Sequence, residues 1–133
     1  MDAATRRQVR ERAEERCEYC RLPQFAAPFL RFHVEHIQAS QHIVDDSLEN
    51  LCLACPRCNL NKGPNLASLS EARELVPLFH PRQQNWDEHF RLDGATIVGL
   101  TPIGTATARL LKMNEGDQVE IRAALILRGE YWE

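Results

Sequence analysis

Five cysteines offer the first recognisable chemistry in this chain, and their spacing suits a metal ion. Cys17 and Cys20 form one Cys-x-x-Cys knuckle, and Cys55 and Cys58 form a second. One such knuckle is ambiguous with a redox motif, whereas two together supply the four thiolates that tetrahedral Zn²⁺ takes. We therefore predict a structural zinc site. Cys52 is left over, and there we favour a small buried apolar side chain over a ligand.

A second set of polar residues lies between the knuckles and just after them. It reads Val34-Glu35-His36-Ile37, then Asn50-Leu51, then Cys58-Asn59-Leu60-Asn61-Lys62-Gly63. His36 precedes Asn50 by 14 residues, and Asn50 precedes Asn59 by 9. With the knuckles, these motifs resemble the HNH endonuclease family over residues 17–63. The tail, between residues 78 and 102, is similar to small standalone bacterial HNH proteins.

The resemblance implies the ββα-metal fold and a role for each polar residue. His36 is expected to act as the general base of phosphodiester hydrolysis. Glu35 and Asn59 are expected to hold one divalent ion, and these oxygen donors suit Mg²⁺ or Mn²⁺. The resemblance further implies that this ion stabilises the leaving 3′ oxygen and that the products carry 5′-phosphate and 3′-hydroxyl ends. Asn50 is expected to brace the loop after His36.

Phosphate contacts are expected from Lys62 and Arg57, with Lys62 preferred because the family pattern has lysine there. Taken alone, several of these residues also have ordinary structural explanations. Asn59 fits a helix end, Asn50 fits a turn, and Lys62 complements a helix dipole. The remaining histidines have no matching motif, and we expect structural or surface roles for them: His33, His42, His80 and His89.

Charge gives little support to a general polyanion-binding protein. The formal net charge is −3, and residues 1–63 are neutral, with nine basic and nine acidic side chains. Any DNA contact therefore depends on a local patch or a bound metal, and we expect it to involve mostly the backbone. The alternative is a catalytically inactive zinc-stabilised module that binds nucleic acid or another protein. Such a module would not need Glu35, His36 and Asn59 together.

Local signals in the first half predict the elements that position this chemistry. A helix over residues 5–16, capped by Thr5, has Val9 and Ala13 facing inward. Strands are expected over residues 29–37 and 51–54, joined by a polar loop over residues 38–46. A short helix begins at Pro56 and ends at Gly63.

The second half is expected to form another layer of the same domain. A short helix begins at Ser68 or Ser70 and stops at Pro77, and a hairpin over residues 90–100 turns at Asp93-Gly94. Helices are predicted over residues 101–113 and 114–129. Their inward faces are expected to carry Ile103, Ala106, Leu110, Val119, Ala123 and Ile126.

We therefore predict an α+β fold, in which a zinc-stapled ββα finger carries flanking helices and a C-terminal extension of one hairpin and helices. The chain is expected to be one domain, 1–133, with the HNH and zinc core at 17–63 and the extension at 64–133 packed on it. An odd cysteine count without a leader indicates a reducing, cytoplasmic compartment. No stretch suits a membrane span.

Overall fold

The computed structural model describes residues 1–131, so the last two positions of the predicted 64–133 extension lie outside the described residues. The described residues form a mixed α/β structure with small antiparallel sheets, which confirms the predicted fold class. The first half contains α1 (Ala3–Arg12), β1 (His33–His36), β2 (Leu51–Ala54) and α2 (Pro56–Lys62). The second half contains β3 (Ala67–Leu69), β4 (Leu75–Pro77), α3 (Trp86–His89), β5 (Phe90–Asp93), β6 (Thr96–Gly99), α4 (Pro102–Leu110) and α5 (Gly116–Leu127).

Strands β1 and β2 and helix α2 form the predicted ββα unit. The strands pair antiparallel, with His33 opposite Ala54 and His36 opposite Leu51. All four residues of β2 are buried, which explains its continuous apolar sequence. Helix α2 follows after one residue, with proline in its first turn, and ends at Gly63, whose positive φ of 51° disfavours other residues.

Strand β1 is shorter than the predicted strand over residues 29–37. The cause is the side chain of Gln24, which occupies backbone groups that a strand would need. Its amide nitrogen donates to the carbonyl oxygens of Ala27 (3.2 Å) and Leu30 (2.8 Å), and its oxygen accepts from the backbone N–H of Phe32 (2.8 Å). The segment before His33 is therefore an irregular loop.

Helix α1 begins earlier than predicted because Asp2, not Thr5, is its N-cap. The Asp2 carboxylate accepts from the backbone N–H of Thr5 at 2.8 Å. Val9 and Ala13 are buried, as expected from their spacing. The helix ends at Arg12, whose guanidinium donates to the carbonyl oxygens of Leu48 and Leu51 and so attaches α1 to the ββα unit.

The predicted helix ending at Pro77 is wrong, because this segment forms the β3–β4 hairpin. Ser70 does accept a backbone N–H, but it closes a turn. Its hydroxyl accepts from Glu74, its own N–H donates to the Glu74 carbonyl, and Arg73 takes a positive φ of 63°. A serine hydroxyl that bonds to the backbone can cap a helix or close a turn, and here it closes a turn.

The C-terminal elements follow the prediction with shifted boundaries. Strands β5 and β6 form the expected hairpin around Gly94, and Thr101 caps α4 by accepting from Gly104. Helix α5 starts after Asn114 because that side chain is bonded to the backbone of Ile97 on β6. The fully buried residues of α5 are Arg122 and Leu125. The predicted inward residues Val119, Ala123 and Ile126 are only half-buried.

Hydrogen bonds and a shared apolar core connect the C-terminal elements to the first knuckle. The Trp86 indole donates to the Tyr19 carbonyl at 2.7 Å, and the Tyr131 hydroxyl donates to the Cys20 carbonyl at 2.6 Å. Trp86 also packs on Phe90, with ring centroids 5.0 Å apart. Among residues 1–131, no helix combines the length and apolar character that crossing a membrane requires.

Candidate metal and catalytic site

The four knuckle cysteines come together in one buried cluster. Their sulfur atoms all lie within 4.8 Å of one another. Cys17 and Cys20 lie in the turn after α1, whereas Cys55 and Cys58 lie at the start of α2, so the cluster joins the two segments. Backbone N–H groups inside each knuckle point at sulfur, at 3.5 Å for Cys20 to Cys17 and 3.4 Å for Cys58 to Cys55. This all-thiolate donor set fits a structural zinc ion.

Because the sulfur atoms lie close together, the pKa of one thiol is lowered and the pKa values of two others are raised. Hydrogen bonds from Cys17 and Cys20 lower the pKa of Cys55, while the bond with Cys17 raises the pKa of Cys20. The same partner raises the pKa of Cys58. The cluster therefore resists carrying four negative charges by itself. A divalent cation at its centre offsets that repulsion, which is why such knuckles bind metal as thiolates.

Cys52 lies outside this cluster, as expected. It is on β2 and fully buried, and its thiol donates to the Tyr19 hydroxyl at 3.8 Å. Burial raises the pKa of Cys52 to about 12. The side chain therefore remains a neutral thiol within the apolar core.

Glu35 and Asn59 lie together where β1 meets α2. The terminal amide atom of Asn59 that faces Glu35 is 3.1 Å from one carboxylate oxygen of Glu35 and 3.2 Å from the other. With its nitrogen turned inward, the amide donates to the carboxylate. With its oxygen turned inward, two oxygen donors converge, and a hard cation between them would satisfy both. Both residues are half-buried, so the pair remains open to solvent.

His36 is held by an acid that the sequence interpretation missed. Its Nε2 lies 2.6 Å from Oδ1 of Asp46. The imidazole is 26% exposed, and the carboxylate is 62% exposed. Asp46 lies in an irregular loop without periodicity or motif spacing. The available signal in the sequence was the presence of acidic residues between His36 and Asn50.

Asn50 holds the loop that carries Asp46. Its amide oxygen accepts from the backbone N–H of Gln38 at 2.9 Å. Its amide nitrogen donates to the carbonyl oxygens of Gln38 (3.1 Å) and Asp45 (2.9 Å). Asn50 itself is buried, so both ends of the 38–46 loop are attached to one fixed side chain.

The two residues expected to contact phosphate have protein partners. Lys62 is buried, and its Nζ donates to the carbonyl oxygen of Ile37 at 2.8 Å. Desolvation lowers the pKa of Lys62. Arg57 makes a two-pronged ion pair with Asp117 of α5, at 2.6 and 3.1 Å. The structure thus ties Lys62 to the end of β1 and Arg57 to the C-terminal helix.

Comparison with known proteins identifies the segment that contains the zinc cluster and the polar site. Residues 17–65 match the HNH endonuclease family model. The matched stretch, called the HNH segment below, begins at Cys17 and ends just beyond Lys62. The family suggests nuclease activity. No curated protein and no solved structure matches the chain.

Proposed function

We propose that this protein is a metal-dependent DNA endonuclease that hydrolyses phosphodiester bonds. The decisive observation lies in the HNH segment, where an imidazole oriented by a carboxylate occurs beside an acid–amide pair. His36 and Glu35 are consecutive on β1, and Asn59 reaches Glu35 from α2. This combination supplies a base for water and oxygen ligands for a cation.

The donor set at Glu35 and Asn59 fits a hard divalent ion. One carboxylate and one amide oxygen leave most of an octahedral shell to water and phosphate, which suits Mg²⁺ or Mn²⁺. Bound there, the ion would neutralise the charge that develops on the leaving 3′ oxygen. We expect tight binding only with substrate, since the two side chains provide a single negative charge.

His36 and Asp46 would perform the proton transfer. With Nε2 engaged by Asp46, Nδ1 is the ring atom that takes a proton from the attacking water. The water oxygen bonds to phosphorus, and the bond from phosphorus to the 3′ oxygen breaks. The 3′ oxygen leaves with the bonding electron pair and takes a proton from solvent water, so the products are a 5′-phosphate and a 3′-hydroxyl. Asp46 acts through His36, because its carboxylate fixes the tautomer and stabilises the imidazolium that forms.

DNA contact would come from exposed arginines, since Lys62 and Arg57 are bonded within the protein. Arg6 and Arg7 on α1 and Arg31 just before β1 are exposed. Their guanidinium groups suit phosphate oxygens. Such contacts would hold the DNA backbone without reading the base sequence.

Cleavage of supercoiled plasmid with Mg²⁺ or Mn²⁺ tests the proposal. We expect His36→Ala to lower the cleavage rate by roughly two to four orders of magnitude with little change in DNA affinity. Glu35→Ala should require a higher metal concentration. His42→Ala is the matched control, since this exposed histidine bonds instead to the Pro64 carbonyl. Wild-type cleavage by His36→Ala would refute the nuclease proposal, and DNA binding without cleavage by the wild type would favour the inactive module.

A further inference from the structure

His33 lies on the same face of β1 as Glu35. Side chains alternate along a strand, so residues two apart point to one side. Nδ1 of His33 is 3.8 Å from Oε1 of Glu35. The two side chains are 50% and 36% exposed, so both are open to an ion from solvent. The opposite positions on β2 are the small residues Ala54 and Cys52, which leave this face to the longer side chains.

We propose that His33 is a third protein ligand of the divalent ion at Glu35 and Asn59. This inference rests on the proposed function, because it adds a donor to the same metal site. The set then consists of an imidazole nitrogen, a carboxylate and an amide oxygen. His33 thereby gains a functional role that its sequence context does not suggest.

The distances suit one shared ion. Metal–ligand bonds of about 2.1 Å place two donors of one ion about 3 to 4 Å apart. The His33–Glu35 distance of 3.8 Å and the Asn59–Glu35 distances of 3.1 and 3.2 Å all fall in that range. Glu35 is common to both pairs, so an ion bound at its carboxylate would lie within reach of both other side chains.

An imidazole ligand changes which ions the site prefers. Nitrogen donors favour later first-row ions over Mg²⁺, and the preference rises from Mn²⁺ through Co²⁺ to Ni²⁺. A competing explanation is a plain ion pair between protonated His33 and Glu35. The two explanations predict opposite effects of removing His33. A ligand's loss weakens metal binding, whereas loss of a competing cation strengthens it or leaves it unchanged.

The test is divalent-ion titration of the zinc-loaded full chain without DNA. Ni²⁺ and Mn²⁺ binding are measured by calorimetry, and Mg²⁺ by competition with Mn²⁺. We expect His33→Ala to weaken Ni²⁺ binding about tenfold or more, Mn²⁺ binding less, and Mg²⁺ binding by under about threefold. His42→Ala, which removes another exposed histidine, should leave all three affinities unchanged. Zinc content and thermal stability are checked for each variant.

Equal weakening for all three ions, unchanged Ni²⁺ binding, or tighter binding by His33→Ala would overturn the role of His33. Glu35→Ala separates this failure from failure of the proposed function. If Glu35→Ala abolishes binding and His33→Ala does not, the two-ligand site stands and only the His33 inference is wrong. If Glu35→Ala binds all three ions as the wild type does, the metal site itself is wrong.

Discussion

Replacing Asn50 tests whether one buried side chain holds the loop that orients His36. Asn50→Ala removes three hydrogen bonds, of 2.9, 3.1 and 2.9 Å, to backbone groups of Gln38 and Asp45. Each such bond contributes about 0.5–1.5 kcal/mol net. Gln38 is exposed, so its freed groups regain water and the total loss stays near about 2–3 kcal/mol. For a chain of this size, that corresponds to a fall in Tm of roughly 6–15 °C.

The activity should fall with the stability, but metal binding should not. Asp46 lies in the loop that Asn50 attaches, so we expect cleavage to slow by about ten- to a hundredfold. Glu35 and Asn59 lie on β1 and α2, and their affinity for Mn²⁺ should stay unchanged. Thermal unfolding, plasmid cleavage and Mn²⁺ titration of zinc-loaded protein measure the three quantities.

Two further substitutions sharpen the Asn50 experiment. Asn65→Ala is the control, because it removes a single bond, from Asn65 to the Lys62 carbonyl, outside the 38–46 loop. Asn50→Asp keeps the acceptor for Gln38 but turns an acceptor towards two carbonyl oxygens. Protonation restores a donor, so its stability relative to wild type should improve as the pH falls. An Asn50→Ala protein with a Tm within about 2 °C of wild type and an unchanged cleavage rate would refute the reasoning.

Three other predictions concern the zinc cluster and the residues around His36. Cys17→Ser should lose zinc and several kcal/mol of stability, whereas Cys52→Ala should keep its zinc; equal metal loss from both would contradict the four-sulfur site. Asp46→Asn should reduce the cleavage rate by roughly one to two orders of magnitude at unchanged DNA affinity. An unchanged rate would show that Asp46 does not position His36. Lys62→Met should lower kcat without altering the salt dependence of DNA binding; a slope reduced by about one unit would instead indicate a phosphate contact.

Several features of this protein were predictable because local chemistry determines them. The four clustered cysteines come in pairs separated by two residues, a spacing that brings both thiols of a pair to one metal site within a single turn. Helix α2 starts at a proline and ends at Gly63, and both residues act through their own backbone angles. Strand β2 is apolar at all four positions because it is buried on both faces. The polar motif between the knuckles indicated the HNH family.

Tertiary packing decided what local patterns do not encode. Asp46 was missed because it meets His36 across 10 residues of an irregular loop, which Asn50 holds through bonds to Gln38 and Asp45. Lys62 is satisfied by the carbonyl of Ile37, 25 residues earlier, and Arg57 by an acid 60 residues later. Nothing near either residue in the chain reveals these partners.

Whether a feature could be predicted from the sequence depends on how far apart in the chain the interacting residues lie. Arg122 shows it clearly, since a buried arginine on α5 contradicts the hydrophobic period and is stabilised by the carbonyl oxygens of Ala95 and Met113. The sequence by itself determined the two cysteine knuckles, the ββα unit and the match of the polar motif to the HNH family, because these depend on neighbouring residues. Only the tertiary structure decided which acid contacts His36 and which side chains lie beside Glu35. Those contacts join segments whose separation in space is set by the packing of the whole chain.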